Sequence, residues 1–358
     1  MNKKVAIIIS PNWKDYAKKY LDDCLDSILK QDWAGESKVF LIDNESTEES
    51  YLYLKNTLET RLIPSLQYEI IRNIENAGFA KGNNVAMQAA IDQVYDYLVL
   101  FNMDTMADSC AVSELVKAAE LNEKTGVAQA RIMLWPEKDK INSLGNVTHY
   151  LGFGYCSGYN ETIENYEIKN KDIFYPSGAA FLVKAEVIKK IGLFDEEFWM
   201  YAEDQDLGWR MWLAGYKCVL ATEAIVYHKY EFSRSISKYY WMDRNRIIVM
   251  LKNYHLLTLL IILPALVVME FGLIFFAIKG GWFKEKLRIY KYFIMPKSWR
   301  YIFNSRQSTQ KLRKIKDRDL LPLLSSRVSY QEIESSALNI ANNIFTIYWN
   351  IIKRIIIW

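Results

Sequence analysis

The chain has 358 residues, 51% hydrophobic and 14% aromatic, with a net charge of +3. That length can bury a sizeable core, and one large domain plus an appendage is the natural expectation. The charge is uneven: from Lys279 to Trp358, 16 Lys/Arg stand against 5 Asp/Glu, a net +11, which leaves −8 for residues 1–278. A basic, apolar tail behind an acidic body points to an anionic membrane surface. No short run of Lys/Arg interleaved with aromatics supports a nucleic-acid partner.

Cys24, Cys110, Cys156 and Cys218 lie far apart with no CxxC, so they read as reduced, mostly buried thiols of a cytosolic protein. The opening MNKKVAIIISPNW carries an apolar run too short for a signal peptide, cut by Ser10 and Pro11. It is better explained as a first strand.

Over the first hundred residues, buried strands alternate with helical stretches. VAIIIS (5–10) is followed by helical spacing from Lys18 to Lys30, with Leu21, Leu25 and Ile28 on one face. The strand KVFLID (38–43), a helix over 48–59 and the strand YEIIRN (68–73) come next. A helix from about Gly82 to Gln93 and the strand YLVLFN (97–102) complete the series. Short apolar strands separated by helices predict a mostly parallel sheet covered on both faces. Ligands of such sheets bind beyond the carboxyl ends of the strands, and here those ends are polar: Ser10-Pro11-Asn12, Asp43-Asn44-Glu45-Ser46, Arg72-Asn73 and Asn102-Met103-Asp104.

Residues 110–240 are less regular. GNVTHYLGFGYCSGYN (145–160) reads as a loop or hairpin over the crevice, and 176–195 as turn, strand, helix, turn. Beyond them, LLTLLIILPALVVMEFGLIFFAI (256–278) is 23 residues with one charge, Glu270, and one proline, Pro264. It is long enough to cross a hydrocarbon core of about 30 Å. Basic flanks on both sides, the proline and the glutamate fit a bent re-entrant or in-plane segment at least as well, and a buried core helix is the plainer alternative. Trp282, Phe283, Tyr290, Tyr292, Trp299 and Tyr301 among Lys/Arg look like an interfacial anchor.

Several residues could do chemistry, and each has an ordinary structural explanation too. Asn102 and Asp104 project to one side of an extended chain, so they can reach one ligand together, though Asn or Asp after a strand is commonly a turn-former. In IRNIENAGFAKGNN (71–84), Gly78 and Gly82 permit close backbone approach, and the helix opened by Asn83 and Asn84 could face an anion beside Lys81. Glu203, Asp204 and Asp206 sit among tryptophans in WMYAEDQDLGWRMW. Acids suit a helix start, yet aromatic surroundings would raise a carboxylate's pKa and make it a proton acceptor. His228 ends KCVLATEAIVYH and is a candidate cation ligand.

In this order, VAIIISPN, LIDNEST, NIENAGFAKGNN, FNMDT and PSGAAFLVKAEVIKKIGLFDEEFWMYAEDQDLGWRMW…IVYH, the motifs resemble family 2 glycosyltransferases, rhamnosyltransferase-like group. The resemblance covers Lys4 to about Leu251. It implies an α/β GT-A (Rossmann-like) fold over 1–250, a mostly parallel sheet with flanking helices, followed by a helical membrane-associated region over 251–358. It implies that Asn12, Asp43 and Asn44 hold the base and ribose of a nucleotide sugar, with Asn76 among the contacts. Gly78, Lys81 and Asn84 would line the diphosphate side. Asp104 and His228 would hold Mn²⁺ or Mg²⁺. Asp204 would be the catalytic base, Glu203 beside it, with Asp206, Trp209 and Arg210 positioning the pair or meeting the acceptor. Asn102 stands where the family's first metal-binding Asp is expected, so it is assigned to the sugar or a metal-bound water.

The implied reaction is metal-dependent, inverting transfer of rhamnose or a similar hexose from a nucleoside-diphosphate sugar to a saccharide or lipid-linked saccharide. It would take place at the cytoplasmic membrane face, in surface-polysaccharide synthesis. A nucleotidyltransferase of similar build and a membrane scaffold with a degenerate site are the alternatives.

Overall fold

The computed structural model describes residues 3–61, 67–168, 170–231, 236–329 and 336–358. Strands β1 (Val5–Asn12), β2 (Ser37–Asn44), β3 (Gln67–Asn73) and β4 (Tyr97–Phe101) alternate with helices α1 (Tyr16–Ile28), α2 (Glu48–Arg61) and α3 (Gly78–Asp92). They form a parallel sheet half in the order β3-β2-β1-β4. Each crossover helix lets the next strand run the same way. Side chains alternate across β1: Val5, Ile7 and Ile9 pack with α1, while Ala6 and Ile8 pack with α3. Both faces are thereby covered, which is why the strand is apolar at every position.

The second half is mixed, so the expectation of a mostly parallel sheet is corrected. After β5 (Thr105–Ala107) and α4 (Ala111–Glu120) come β6 (Thr125–Leu134), β7 (Ile141–Ser143), β8 (Asn146–His149), β9 (Gly154–Cys156) and β10 (Asp172–Ile173). Next are β11 (Ala180–Lys184), α5 (Ala185–Ile191), α6 (Glu203–Leu213) and β12 (Lys217–His228). Strand β11 lies between β4 and β6 and is antiparallel to both, whereas β6 and β12 run parallel. The antiparallel insertion delivers the residues before β11 to the carboxyl end of β4, the end where the crevice forms. The 145–160 stretch is a hairpin, β8 against β9.

Helices α7 (Lys238–Asn253), α8 (Leu256–Lys279), α9 (Phe283–Ile294), α10 (Pro296–Leu312), α11 (Asp317–Leu320) and α12 (Ser336–Ile352) make up the remainder, with one short strand, β13 (Leu324–Ser325). That strand pairs with β8, and Phe345, Trp349, Ile352 and Ile356 join the apolar cluster around Tyr150 and Leu151. The tail therefore shares a core with the sheet domain. Two residues of strand carry too little pattern to be visible in sequence. All four cysteines are free, Cys24 and Cys218 buried.

Candidate active site

Register gathers the first pair of residues. Strand β5 pairs antiparallel with β12, setting Thr105 opposite His228, and Asp104 precedes Thr105. Asp104 Oδ1 lies 3.2 Å from His228 Nε2, both side chains being about nine-tenths buried. The Tyr16 hydroxyl donates to Asp104 Oδ2 at 2.6 Å. Burial alone would push the Asp104 carboxyl up, but the His228 imidazole and the Tyr16 hydroxyl hold it below the usual range. Tyr16 keeps its proton, raised by burial and by the Asp104 charge. On its far side, His228 Nδ1 is 3.0 Å from Asn142 Oδ1. An amide oxygen accepts, so Nδ1 carries a proton, which leaves Nε2 as the ring nitrogen that faces Asp104.

This pair fits a divalent cation. Asp104 Oδ1 is buried with no hydrogen-bond donor, as is Asn102 Oδ1 two residues earlier. A carboxylate oxygen and an imidazole nitrogen converging on one buried spot are a ligand pair that a divalent cation would suit. Among the described residues no cluster of three or more His, Cys, Asp or Glu forms. Of those residue types, Asp104 and His228 are the two brought together here, and a cation they held would need further ligands from substrate or water.

The acidic pair is reached through the turn before β11. Ala180 pairs with Phe101, and the Asn102 amide donates to Ala179 O at 2.8 Å. One residue earlier, the Gly178 amide donates to Asp204 Oδ2 at 3.1 Å. Asp204 is partly exposed at the start of α6. Burial pushes its carboxyl up to about 6, against the lowering pull of the Gly178 and Gln205 amides. Glu203 is 5% exposed and its Oε2 has no partner. Burial first, then the neighbouring Asp204 charge, drive it well above the carboxylate range.

Three residues ahead of the pair have left-handed backbones without being glycine: Trp199, Tyr201 and Ala202, with φ of 59°, 66° and 65°. Such conformations cost energy and persist where surroundings hold them. Here the holder is Asn245 of α7, fully buried, whose Nδ2 lies 2.7–3.0 Å from the carbonyls of Phe198, Met200 and Tyr201. MYAED contains no glycine or proline, so nothing in the sequence marks this turn. Asn142, Tyr16 and Asn245 were likewise missed. An isolated Asn or Tyr has no spacing signal, and the pairing that makes each one useful is long-range.

The other residues expected to meet the nucleotide have partners within the protein. Asn12 donates to Asp43 Oδ1 at 3.0 Å and accepts from the Ala17 amide at 2.9 Å. Asn44 binds Asn73, Asn76, Ala77 and Gly78, and Asn84 binds both backbone groups of Phe194. These amides are buried and hydrogen-bonded inside the protein, where they shape the crevice. Asn76 Oδ1 accepts from Asn44 and the Gly78 amide. Helix α3 starts at Gly78, earlier than expected, and its Phe79 and Ala80 amides donate to Trp199 O at 2.7 and 3.1 Å. That end is taken by protein and is not an open anion site. Lys81 is exposed beside Glu75. Asp43 Oδ1 also accepts from Ser46, while Oδ2, 3.3 Å from Arg72 Nε, has no hydrogen-bond donor.

Asp206, Trp209 and Arg210 find their partners inside the protein. Asp206 is fully buried against Arg210 Nε at 2.8 Å and Lys252 Nζ at 3.0 Å. Although burial opposes it, these cations bring the carboxyl down to about 2. Arg210 also donates to the carbonyls of Ile191, Gly192 and Leu193 beyond α5. Trp209 is fully buried against Phe174 and Tyr254. All three anchor α6 to the domain.

Residues 7–192 match the family described as "Glycosyl transferase family 2". The chain belongs to that family. That membership favours glycosyl transfer over the nucleotidyltransferase alternative. A curated relative, the N-acetylglucosaminyl-diphospho-decaprenol L-rhamnosyltransferase of Mycobacterium tuberculosis, is 26% identical over 203 residues. That match covers 53% of this chain and 66% of the relative, just under two thirds of its length. GalNAc-T7, solved with UDP, GalNAc and Mn²⁺, superposes with a TM-score of 0.53 at 14% identity, over 70% of this chain and 48% of that one. S. aureus TarS 1–349, solved with UDP-GlcNAc, has a TM-score of 0.50 at 14% identity, over 98% and 90%. These structures share the fold: a mixed α/β sheet with flanking helices, consistent with GT-A.

Proposed function

We propose that this glycosyltransferase is inverting and metal-dependent. In this account it moves rhamnose or a similar hexose from a nucleoside-diphosphate sugar to a saccharide or lipid-linked saccharide, in surface-polysaccharide synthesis at the cytoplasmic face of the membrane. The named activity of the mycobacterial relative supports the sugar and the lipid-linked acceptor, and the Mn²⁺ with which GalNAc-T7 was solved supports the cation.

The observation that carries the proposal is the Gly178–Ala179 turn. One end of it binds Asp204, and the next residue binds the strand end that carries Asn102 and Asp104. Base and cation pair therefore hang from one rigid junction.

In this mechanism Asp104 and His228 would hold Mn²⁺ or Mg²⁺. When bound, the cation would stabilise the negative charge on the departing nucleoside diphosphate. Asp204, with a pKa of about 6, is ionised at neutral pH yet more basic than an ordinary carboxylate, so it takes the acceptor hydroxyl's proton as the new bond forms. Burial and the Asp204 charge both favour the protonated form of Glu203, which would leave one negative charge where two would repel. A base on the face opposite the leaving group gives a single displacement and inversion. Asn102 Oδ1 is free to accept from a donor-sugar hydroxyl or a metal-bound water.

The test is transfer from a panel of nucleotide sugars with Mn²⁺, with donors first ranked by thermal stabilisation. Asp204→Asn is expected to lose at least ~10²-fold in turnover while binding nucleoside diphosphate normally. Undiminished turnover removes Asp204 from the role.

A further inference from the structure

Helix α8, with 24 residues, is the one described helix long and apolar enough to cross a membrane. Its surroundings divide it lengthwise. Leu260, Leu263, Val267, Phe271, Phe275 and Ile278 are exposed, between 47% and 70%, and recur every three or four residues on one face. The opposite face is fixed to the protein from one end to the other. Near its start, Thr258 Oγ1 accepts from Trp358 Nε1 at 2.9 Å, and Ile261 O accepts from the Tyr348 hydroxyl at 2.6 Å. Near its end, Ala277 is fully buried.

The middle of α8 carries the strongest tie. Glu270 Oε1 is 2.5 Å from Lys286 Nζ and 2.7 Å from the Tyr290 hydroxyl of α9, and Oε2 is 3.5 Å from Arg246 of α7. Lys286 has no exposed surface and also binds Asp243, at 2.6 Å, which in turn binds Arg246. A helix crossing the bilayer would carry this charged group into hydrocarbon or tear it apart, and both are expensive.

We propose that α8 lies in the plane of a bilayer, one face on the protein and the other in lipid, and does not cross it. This deepens the membrane attachment proposed above and rests on it. Helix α12, packed against α8, adds a matching exposed stripe of Ile340, Ile344, Ile347 and Ile351. Exposed Lys284, Arg288, Lys291 and Arg300 and half-exposed Trp299 stand on the neighbouring α9 and α10. Apolar stripes beside basic and indole side chains suit an anionic lipid surface. A second copy docking face to face would set a segment of net +11 against its twin.

The full chain is added to sealed vesicles of phosphatidylcholine with phosphatidylglycerol and floated on a density gradient. Binding is expected, with loss of flotation in Phe271→Glu at an unchanged melting temperature, since residue 271 faces outward. Lys30→Cys and Lys284→Cys, each with Cys110 and Cys156 replaced by alanine, are then treated with an impermeant maleimide. Labelling of both without detergent is the expected result. Protection of Lys284→Cys until detergent is added overturns the in-plane geometry and leaves membrane attachment standing. Failure to float overturns both, and self-association abolished by Phe271→Glu would then assign the face to a second copy.

Discussion

Asn142 Oδ1 sits 3.0 Å from His228 Nδ1, on the side of the ring opposite Asp104. The contact fixes which nitrogen carries the proton, and so whether Nε2 can donate its lone pair. Losing such an orienting partner typically weakens metal binding ~10–100-fold. Asn142→Ala is therefore expected to weaken Mn²⁺ binding in the presence of nucleoside diphosphate by that order, measured by calorimetry. Asn142→Asp, which still accepts from Nδ1, should restore most of it.

The acidic pair predicts a pH profile. As the proposed base, Asp204 would act only when ionised, and its carboxyl is pushed up to about 6 by burial. Turnover should rise with pH through about 6 and level off above it. A rate independent of pH between 5 and 7.5 would separate Asp204 from the proton transfer.

Asp206 makes a stability prediction of opposite sign. Its folded pKa, about 2, lies below the ordinary ~3.9. The ionised form thus stabilises the fold fully above ~3.9, and this contribution is lost as pH falls toward 2. Asp206→Ala leaves Arg210 and Lys252 buried without their carboxylate, and breaking such a group costs about 3–5 kcal/mol. Urea denaturation at neutral pH measures it, and the deficit should shrink on acidification.

Gly78 has φ of +73°, and a Cβ there would fall 2.5 Å from Trp199 Cδ1 and 2.6 Å from Trp199 O. Gly78→Ala must therefore shift the left-handed turn leading into Glu203 and Asp204. A destabilisation of about 1–3 kcal/mol is expected, with turnover reduced more than nucleotide binding. Unchanged turnover in the folded variant would detach that turn from catalysis.

The sequence is most legible where local pattern and burial agree. The strands VAIIIS, KVFLID and YLVLF are apolar because both their faces are covered, and their polar ends mark the crevice. His228 and Asp104 are legible as candidates but their contact is not, because it depends on the β5–β12 register. The amides of Asn12, Asn44 and Asn84 are ambiguous in sequence for a simple reason. An asparagine at a strand or helix end can bind a ligand or tie loops together, and only its partners distinguish the two. Glu270 reads as a flaw in an apolar helix until Lys286 and Arg246, distant in sequence, are seen to meet it.

The central claim, that Asp104 and His228 form the cation end of a site completed by Asp204, is tested most directly by diffraction. Crystals grown with nucleoside diphosphate and Mn²⁺ would be measured at the manganese absorption edge. The account predicts an anomalous peak bound by Asp104 and His228, with the diphosphate on its open side and Asp204 across the crevice. A peak elsewhere, with Asp104 and His228 still paired only to each other, would contradict it.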